Sequence, residues 1–166
     1  MSSDRDQNGA SVTITAICIN EVTGDIIVAS GMRFGVYDVN GVLRVCLDDS
    51  VVSFHDPAAF SRTPITSLAV NRGEECEWSA DKHIVTGYAD GTLRVWAYSQ
   101  AASPVQEEPR SSKSKQSWSI ELQGQHRVES GSAITAVCVT PDKSKLYTGT
   151  QDGQLIQWTV GSSPSR

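Results

Sequence analysis

The side chains best suited to catalysis or metal binding are scattered along this sequence. The histidines and cysteines are His55, His83, His126, Cys18, Cys46, Cys76 and Cys138. They form no CxxC pair and no His–Cys spacing typical of a metal site. His55 with Asp49 and Asp56 lies in an irregular polar stretch that sets no ligand geometry. Because GxSxG, HExxH and phosphate-loop motifs are also missing, the sequence predicts no catalytic site, no metal and no cofactor.

A second set of residues recurs at fixed spacing. Residues 86–96 read TGYADGTLRVW and residues 148–158 read TGTQDGQLIQW. In both, an Asp follows the Thr by four residues and a Trp follows it by ten. Repetition on this scale predicts a repeated structural unit.

Three stretches that begin with Ile-Thr must position these residues. They are ITAICI (14–19), ITSLAV (65–70) and ITAVCV (134–139), and each alternates with a period of two, which predicts strands. Second strands are predicted over 26–30, 83–87 and 146–150, and third strands over 35–39, 92–98 and 154–160. Asp-Gly pairs at 90–91 and 152–153 predict tight hairpins. Fourth strands are predicted over 41–48 and 116–123.

The cysteines fit this repeat as packing residues. Cys18 and Cys138 occupy the same place in two copies, and Ala69 occupies it in the third. A position that accepts Cys or Ala is typical of small buried side chains. We therefore expect structural thiols.

The repeated phrase resembles the WD repeat, which forms the blades of β-propellers. The resemblance implies an all-β chain of about three blades, an incomplete propeller. It also implies an internal network of His126, Thr148, Asp152 and Trp158 in the last repeat. In the middle repeat it implies Thr86, Asp90 and Trp96. The sequence departs from the family where Ala97 and Thr159, in place of Asp, follow the two tryptophans.

Two longer phrases are similar to the C-terminal propeller of BEACH-domain proteins, a family that includes neurobeachin, the lysosomal trafficking regulator and the autophagy-linked FYVE protein. They are residues 19–41, with Thr-Gly-Asp before the second strand and Val-Asn-Gly after the third, and residues 76–96, with Glu-Trp in a long turn. The resemblance implies a non-catalytic protein-interaction scaffold in membrane trafficking, lysosome-related organelles or autophagy. The alternative is a generic WD-repeat adaptor in a signalling or ubiquitin-ligase assembly.

The predicted organisation follows from the repeat. A disordered N-terminus (1–11) precedes a WD-repeat region (12–160), and a disordered tail (161–166) follows it. The blades lie near 12–48, 49–98 and 117–160. Residues 99–116 are rich in Ser, Pro and charge and predict a disordered insertion. That insertion is either a tolerated surface loop or a phosphorylated docking site at Ser111, Ser112 and Ser114.

Composition limits the partners. The formal net charge of −5 argues against general nucleic-acid binding, which needs concentrated Lys and Arg. The sequence has no apolar run long enough to span a bilayer, and its polar N-terminus does not resemble a signal peptide. We therefore expect a cytoplasmic location, with only peripheral contact to endomembranes.

Partner proteins are expected at propeller loops and the rim. The candidate loops are 72–81 and 97–116, and the candidate residues are Trp78 and Arg94. Trp78 lies in a charged turn, where it either contacts a partner or folds back onto the blade.

Three blades are fewer than the roughly four to eight of closed propellers. The sequence therefore predicts, in order of preference, a piece of a longer protein that carries the missing blades or a BEACH domain, an incomplete gene model, or an arc that assembles with another chain.

Overall fold

The computed structural model describes residues 13–48, 63–71, 82–100, 118–140 and 144–159. Every regular element in these ranges is a β-strand, as the two-residue alternation predicts. The strands are β1 (Ala16–Ile19), β2 (Ile26–Ser30), β3 (Arg33–Tyr37), β4 (Leu43–Asp48), β5 (Ile65–Val70), β6 (Lys82–Tyr88), β7 (Thr92–Gln100), β8 (Trp118–Arg127), β9 (Ile134–Val139), β10 (Lys145–Thr150) and β11 (Leu155–Thr159). Each strand lies within a few residues of its expected position. The all-β prediction is therefore confirmed.

The strands form three antiparallel sheets. The first sheet has the order β1-β2-β3-β4 and the second has the order β5-β6-β7-β8. The third sheet has the order β9-β10-β11. Each is a meander in which consecutive strands pair, as strands that follow one another along the chain usually do.

Strand β8 adds to the second sheet. Its residues pair with β7 from Thr92↔Arg127 to Gln100↔Trp118. The second sheet therefore continues past residue 98 and includes a strand that lies inside the expected third blade (117–160). Ser99 and Gln100, placed by sequence in the insertion, belong to β7. The remainder of the insertion (101–116), the N-terminus (1–11) and the tail (161–166) lie outside the described residues.

Two apolar layers separate the three sheets. The layer between the first and second sheets contains Ile27, Ala29, Phe34, Val36, Ile65, Ile84, Tyr88, Trp96 and Tyr98. The layer between the second and third sheets contains Val85, Leu93, Val128, Ile134 and Leu146. Among the described residues the second sheet is therefore covered on both faces, whereas each outer sheet is packed on one face.

The first turn of each sheet is closed by one polar side chain. Asn20 Oδ1 accepts hydrogen bonds from the N–H groups of Val22 and Thr23. In the second sheet Asn71 Oδ1 accepts one from His83 N at 2.7 Å. Thr140 Oγ1 does the same for Lys145 N at 3.1 Å in the third sheet. These bonds hold the first and second strands of each sheet in register.

Candidate interaction surfaces and their bracing

The repeated Thr and Trp residues meet across the second and third strands. Trp96 Nε1 donates a hydrogen bond to Thr86 Oγ1 at 2.9 Å, and both side chains are fully buried. Trp158 Nε1 donates to Thr148 Oγ1 at 3.0 Å in the third sheet. Without this bond the buried indole N–H would be unpaired. That would destabilise the fold by about 1–3 kcal/mol. These pairs brace the sheets from inside.

The repeated Asp residues serve the hairpin turns. Asp90 Oδ1 accepts a hydrogen bond from Thr92 N at 3.0 Å, and Gly91 follows it with φ +79°. Asp152 precedes Gly153, whose φ is +84°. Both glycines adopt the left-handed backbone that the Asp-Gly pairs predict.

The position of Asp152 differs from the buried one that the resemblance implies. Its carboxylate is exposed at the tip of the hairpin, where it accepts hydrogen bonds from Thr150 Oγ1 and from Gln154 Nε2. The Thr150 hydroxyl is the largest cause of its lowered pKa. The ring of His126 lies 5.4 Å from the ring of Trp158. The four expected members are thus divided between a Thr–Trp pair in the sheet, an Asp in the turn and a His stacked on the Trp.

Arg94 is not a rim residue, and the expectation that its side chain is exposed to partners is wrong. It is fully buried. Its Nε donates a hydrogen bond to Gln125 Oε1 at 2.8 Å, and its guanidinium lies 5.0 Å from the Tyr88 ring centroid. The long Arg94 side chain lies along the sheet and is covered there. Its guanidinium group donates to an amide oxygen and packs on an aromatic ring. The other partner-binding candidate, Trp78, lies with loop 72–81 outside the described residues.

A buried carboxylate joins the first two sheets, and sequence analysis did not single it out as a site. Asp25 is fully buried, and its Oδ2 accepts hydrogen bonds at 2.7 Å from both Thr23 Oγ1 and Tyr98 Oη. Arg44 Nη1 lies 2.8 Å from Asp25 Oδ1. A buried carboxylate is retained only with such partners. Thr23 and Asp25 belong to the Thr-Gly-Asp phrase noted in the sequence. The phrase marks their position and does not reveal that they join two sheets.

Aromatic packing encloses this junction. The Arg44 guanidinium lies 4.8 Å from the Trp118 ring centroid, and the Tyr98 and Trp118 rings are 6.0 Å apart. Burial and the hydrogen bond to Asp25 raise the pKa of Tyr98 well above its usual value. Tyr98 therefore remains a phenol and a hydrogen-bond donor across the physiological pH range.

Two of the described thiols, Cys18 and Cys46, lack the environment of a nucleophile. Burial raises the pKa of Cys18 to about 12, and desolvation also raises the pKa of Cys46. A reactive cysteine needs a lowered pKa. Among the described residues no three His, Cys, Asp or Glu side chains gather at metal-binding distance. The same ranges contain no helix of the length and apolarity that a membrane crossing requires.

The outer sheets present open faces of different character. On the first sheet, Ile17, Ile19 and Leu43 are exposed on the face opposite the packed one. On the third sheet the open face carries Cys138, Tyr147, Gln157 and Leu155, and Tyr147 Oη donates a hydrogen bond to Gln157 Oε1 at 3.1 Å. Within the described residues, no other sheet packs on these two faces.

Comparison with protein families places these observations in context. The family model for the WD domain, G-beta repeat, matches residues 50–97 and 120–159. Spirrig from Arabidopsis thaliana is 31% identical over 160 residues, which cover 90% of this chain and 4% of that protein. BEACH domain-containing protein A2 from Arabidopsis thaliana is 29% identical, with coverage of 90% and 4%. WD repeat- and FYVE domain-containing protein 4 from Mus musculus is 27% identical, with coverage of 89% and 5%. The chain thus spans about one twentieth of these relatives.

Solved structures show the same architecture. The β-propeller domain of Cps50 (Swd1) from Myceliophthora thermophila superposes with a TM-score of 0.59 at 12% identity, over 96% of this chain and 44% of that one. Raptor from Chaetomium thermophilum gives a TM-score of 0.57 at 13% identity, over 92% of this chain and 11% of that one. At such identities the likeness shows the fold, an arc of β-propeller blades.

Proposed function

We propose that this chain, which belongs to the WD domain, G-beta repeat family, is a non-catalytic protein-interaction scaffold and the C-terminal propeller portion of a BEACH-type protein. Its process is membrane trafficking, lysosome-related organelle biology or selective autophagy. It acts in the cytoplasm, contacts endomembranes only peripherally or through other proteins, and binds no nucleic acid.

One observation carries this proposal. The similarity to BEACH domain-containing protein A2 and to Spirrig extends over 90% of the chain. It therefore takes in most of the first sheet, which the general WD family model does not match. A similarity beyond the generic repeat favours the BEACH group over an unrelated WD-repeat adaptor.

The architecture suits a scaffold. The Thr86–Trp96 pair and the Asp25 junction hold the sheets rigid, and the turns between strands project from them. Variable turns on a rigid frame are the usual way in which a repeat protein presents binding residues. We expect partners at loop 72–81 and at residues 101–116, which follow β7, with Trp78 as the main contact.

Proximity labelling in cells tests this function. The full chain is fused to a biotin ligase and compared with Trp78→Ala and with a matched control, Val42→Ala. Val42 is an exposed apolar side chain between β3 and β4, 60% accessible. We expect the parent chain and Val42→Ala to label endosomal and lysosomal proteins above the free ligase. Trp78→Ala should lose this signal several-fold while the circular dichroism spectrum stays unchanged.

The other outcomes are equally informative. Labelling of ubiquitin-ligase or signalling subunits in place of endomembrane proteins would favour the generic adaptor. Labelling no greater than that of the free ligase would contradict the scaffold itself. Loss of the β-sheet spectrum in Trp78→Ala would make Trp78 a packing residue.

A further inference from the structure

The turn between β8 and β9 is bonded to two hairpins. On one side Val128 N donates a hydrogen bond at 2.9 Å to Gly91 O, in the β6–β7 hairpin of the second sheet. On the other side Ala133 O accepts a hydrogen bond at 2.8 Å from Gln151 N, in the β10–β11 hairpin of the third sheet. We call residues 128–133 the bridging turn, because this turn joins the hairpins of two neighbouring sheets.

Serine hydroxyls hold the bridging turn to the third sheet. Ser132 Oγ accepts a hydrogen bond from Asp152 N at 3.2 Å. The Thr150 hydroxyl is the largest cause of the lowered pKa of Asp152. Hydrogen bonds from Ser130 and Ser132 lower that pKa further. The Ser130 hydroxyl therefore lies beside a carboxylate that is ionised at neutral pH.

An arginine lies beside the same turn. Arg127 is exposed, and its Nε donates a hydrogen bond to Asp90 O at 3.3 Å. Its Nη2 would lie 3.9 Å from a Cβ at Gly131, the residue that follows Ser130. Among the described residues Arg127 forms no ion pair with a carboxylate. The positive charge of Arg127 is therefore available to an anion on the bridging turn.

Ser130 combines accessibility with a basic residue at a short distance along the chain. Its side chain is exposed, and Arg127 precedes it by three residues, whereas Ser132 is half-buried and lies five residues from Arg127. Protein kinases select their acceptor serines partly by charged side chains near the acceptor. The sequence Arg-Val-Glu-Ser (127–130) therefore suits a kinase with an acidic groove that binds an arginine before the serine.

The bridging turn is closed by short-range bonds. Gly131 N donates a hydrogen bond to Val128 O at 3.0 Å, and Ser132 N donates one to Ser130 Oγ at 3.3 Å. Exposed turns of this kind open locally without global unfolding. Such opening presents residues 127–130 to a kinase as an extended segment.

We propose that Ser130 is a phosphorylation site, and that its phosphate moves the bridging turn away from the third-sheet hairpin and toward Arg127. A serine kinase transfers the γ-phosphoryl group of ATP to Ser130 Oγ. A new O–P bond forms to the γ-phosphorus as the bond from that phosphorus to ADP breaks, and the hydroxyl proton passes to the catalytic base of the kinase. The proposal concerns a modification, so it is independent of the scaffold function proposed above.

Charge decides which neighbour the modified serine favours. A phosphoserine carries about −1.5 to −2 charges at pH 7 and three acceptor oxygens. The Asp152 carboxylate repels it, because like charges a few ångströms apart disfavour each other. The Arg127 guanidinium attracts it through charge-assisted hydrogen bonds. Phosphorylation therefore weakens the contacts of the bridging turn to the third sheet and leaves its contact to the second sheet in place.

Mapping of phosphate by mass spectrometry tests the site. The folded full chain is incubated with ATP and a purified serine kinase that selects arginine three residues before the acceptor. We expect phosphate on Ser130, with a several-fold slower reaction in Arg127→Gln and recovery in Arg127→Lys. The matched control is Ser144→Ala, at another exposed serine, which should leave the modification of Ser130 unchanged.

The site would be overturned by phosphate that appears only on Ser111, Ser112 or Ser114. Modification of Ser130 only after denaturation would also overturn it, because the proposal requires the folded chain to be the substrate.

Hydrogen exchange on the phosphorylated chain tests the movement. The amides of Gln151 and Asp152 should exchange several-fold faster than in the unmodified chain, while the amide of Val128 keeps its protection. The change should be smaller in Asp152→Asn, which removes the repelling carboxylate. It should also shrink in high salt, because salt screens exposed charges.

Two results would refute the movement. Unchanged exchange at Gln151 and Asp152 would show that the phosphate leaves the contact to the third sheet intact. Equally accelerated exchange at Val128 would show that the phosphate unfolds the bridging turn rather than moving it toward Arg127. Phosphoserine incorporated at position 130 during synthesis gives the same measurement without a kinase.

Discussion

The second and third sheets repeat the same phrase in different surroundings. Both contain a Thr–Trp hydrogen bond, an Asp-Gly hairpin and a glycine after the Thr. The second sheet is covered on both faces, so Thr86, Leu93 and Trp96 are buried. Among the described residues the third is covered on one face, so Leu155 on the other face is exposed. Trp158 lies on the covered face and is half-buried, because its strand, β11, is an outer strand of the sheet. The same repeated residues therefore contribute differently to stability in the two sheets, because burial by neighbouring sheets sets the cost of each change.

The largest expected difference in unfolding free energy is between the alanine variants of the two tryptophans. Trp96→Ala should lower the free energy of unfolding by about 3–5 kcal/mol, because it leaves a large cavity in a closed layer. The loss of unfolding free energy in Trp158→Ala should be less than half as large. The Trp158 ring is part-exposed, and the apolar layer around it is open at one edge. Urea denaturation of dilute protein measures both values. Equal losses would show that the third sheet is as enclosed as the second.

The glycine pair should give the next largest difference. Gly87→Ala should destabilise by about 1–3 kcal/mol, because its Cβ overlaps Ser67 Oγ and Ile134 in a packed layer. Gly149→Ala should have little effect or be slightly stabilising, since its Cβ meets only Ala136 at van der Waals distance. Thermal denaturation of both variants tests the contrast. If Gly149→Ala lowered the melting temperature and Gly87→Ala did not, the expected contrast between the two glycines would be wrong.

The smallest effect concerns the exposed turn of the third sheet. The Thr150 hydroxyl lowers the pKa of Asp152 in the folded chain, so the ionised carboxylate favours folding. This contribution is fully present above the ordinary pKa of an aspartate and is lost as the pH falls through the lowered value. Asp152→Asn should therefore reduce stability slightly at neutral pH and not in strong acid. If the stability difference between the parent chain and Asp152→Asn had the same size at neutral pH and in strong acid, the role given to the ionised Asp152 carboxylate would be contradicted.

The sequence predicts the strands well because their signals are local. Alternation from Ile65 and Ile134, and the Asp-Gly pairs before β7 and β11, fix strand type and turn position within a few residues. Likewise, the ten-residue spacing places Thr86 opposite Trp96, because antiparallel strands joined by a tight turn bring these positions together.

What the sequence does not predict depends on contacts between distant segments. Arg94 is buried because of Tyr88 and Gln125, neither of which marks it in the sequence. The partners of Asp25 come from β4 and β7, and no spacing rule connects them. Local patterns define elements, whereas burial depends on which elements meet.

The Asp25 junction also constrains the order of events during folding. Tyr98 follows Asp25 by 73 residues, so the carboxylate meets this phenol only after the third strand of the second sheet has formed. Contacts this distant along the chain form late, because a long loop must close before they contribute. We expect the buried carboxylate of Asp25 to lack its Tyr98 partner until residue 98 has left the ribosome. We expect chaperones that bind exposed apolar strands to engage the chain during this interval.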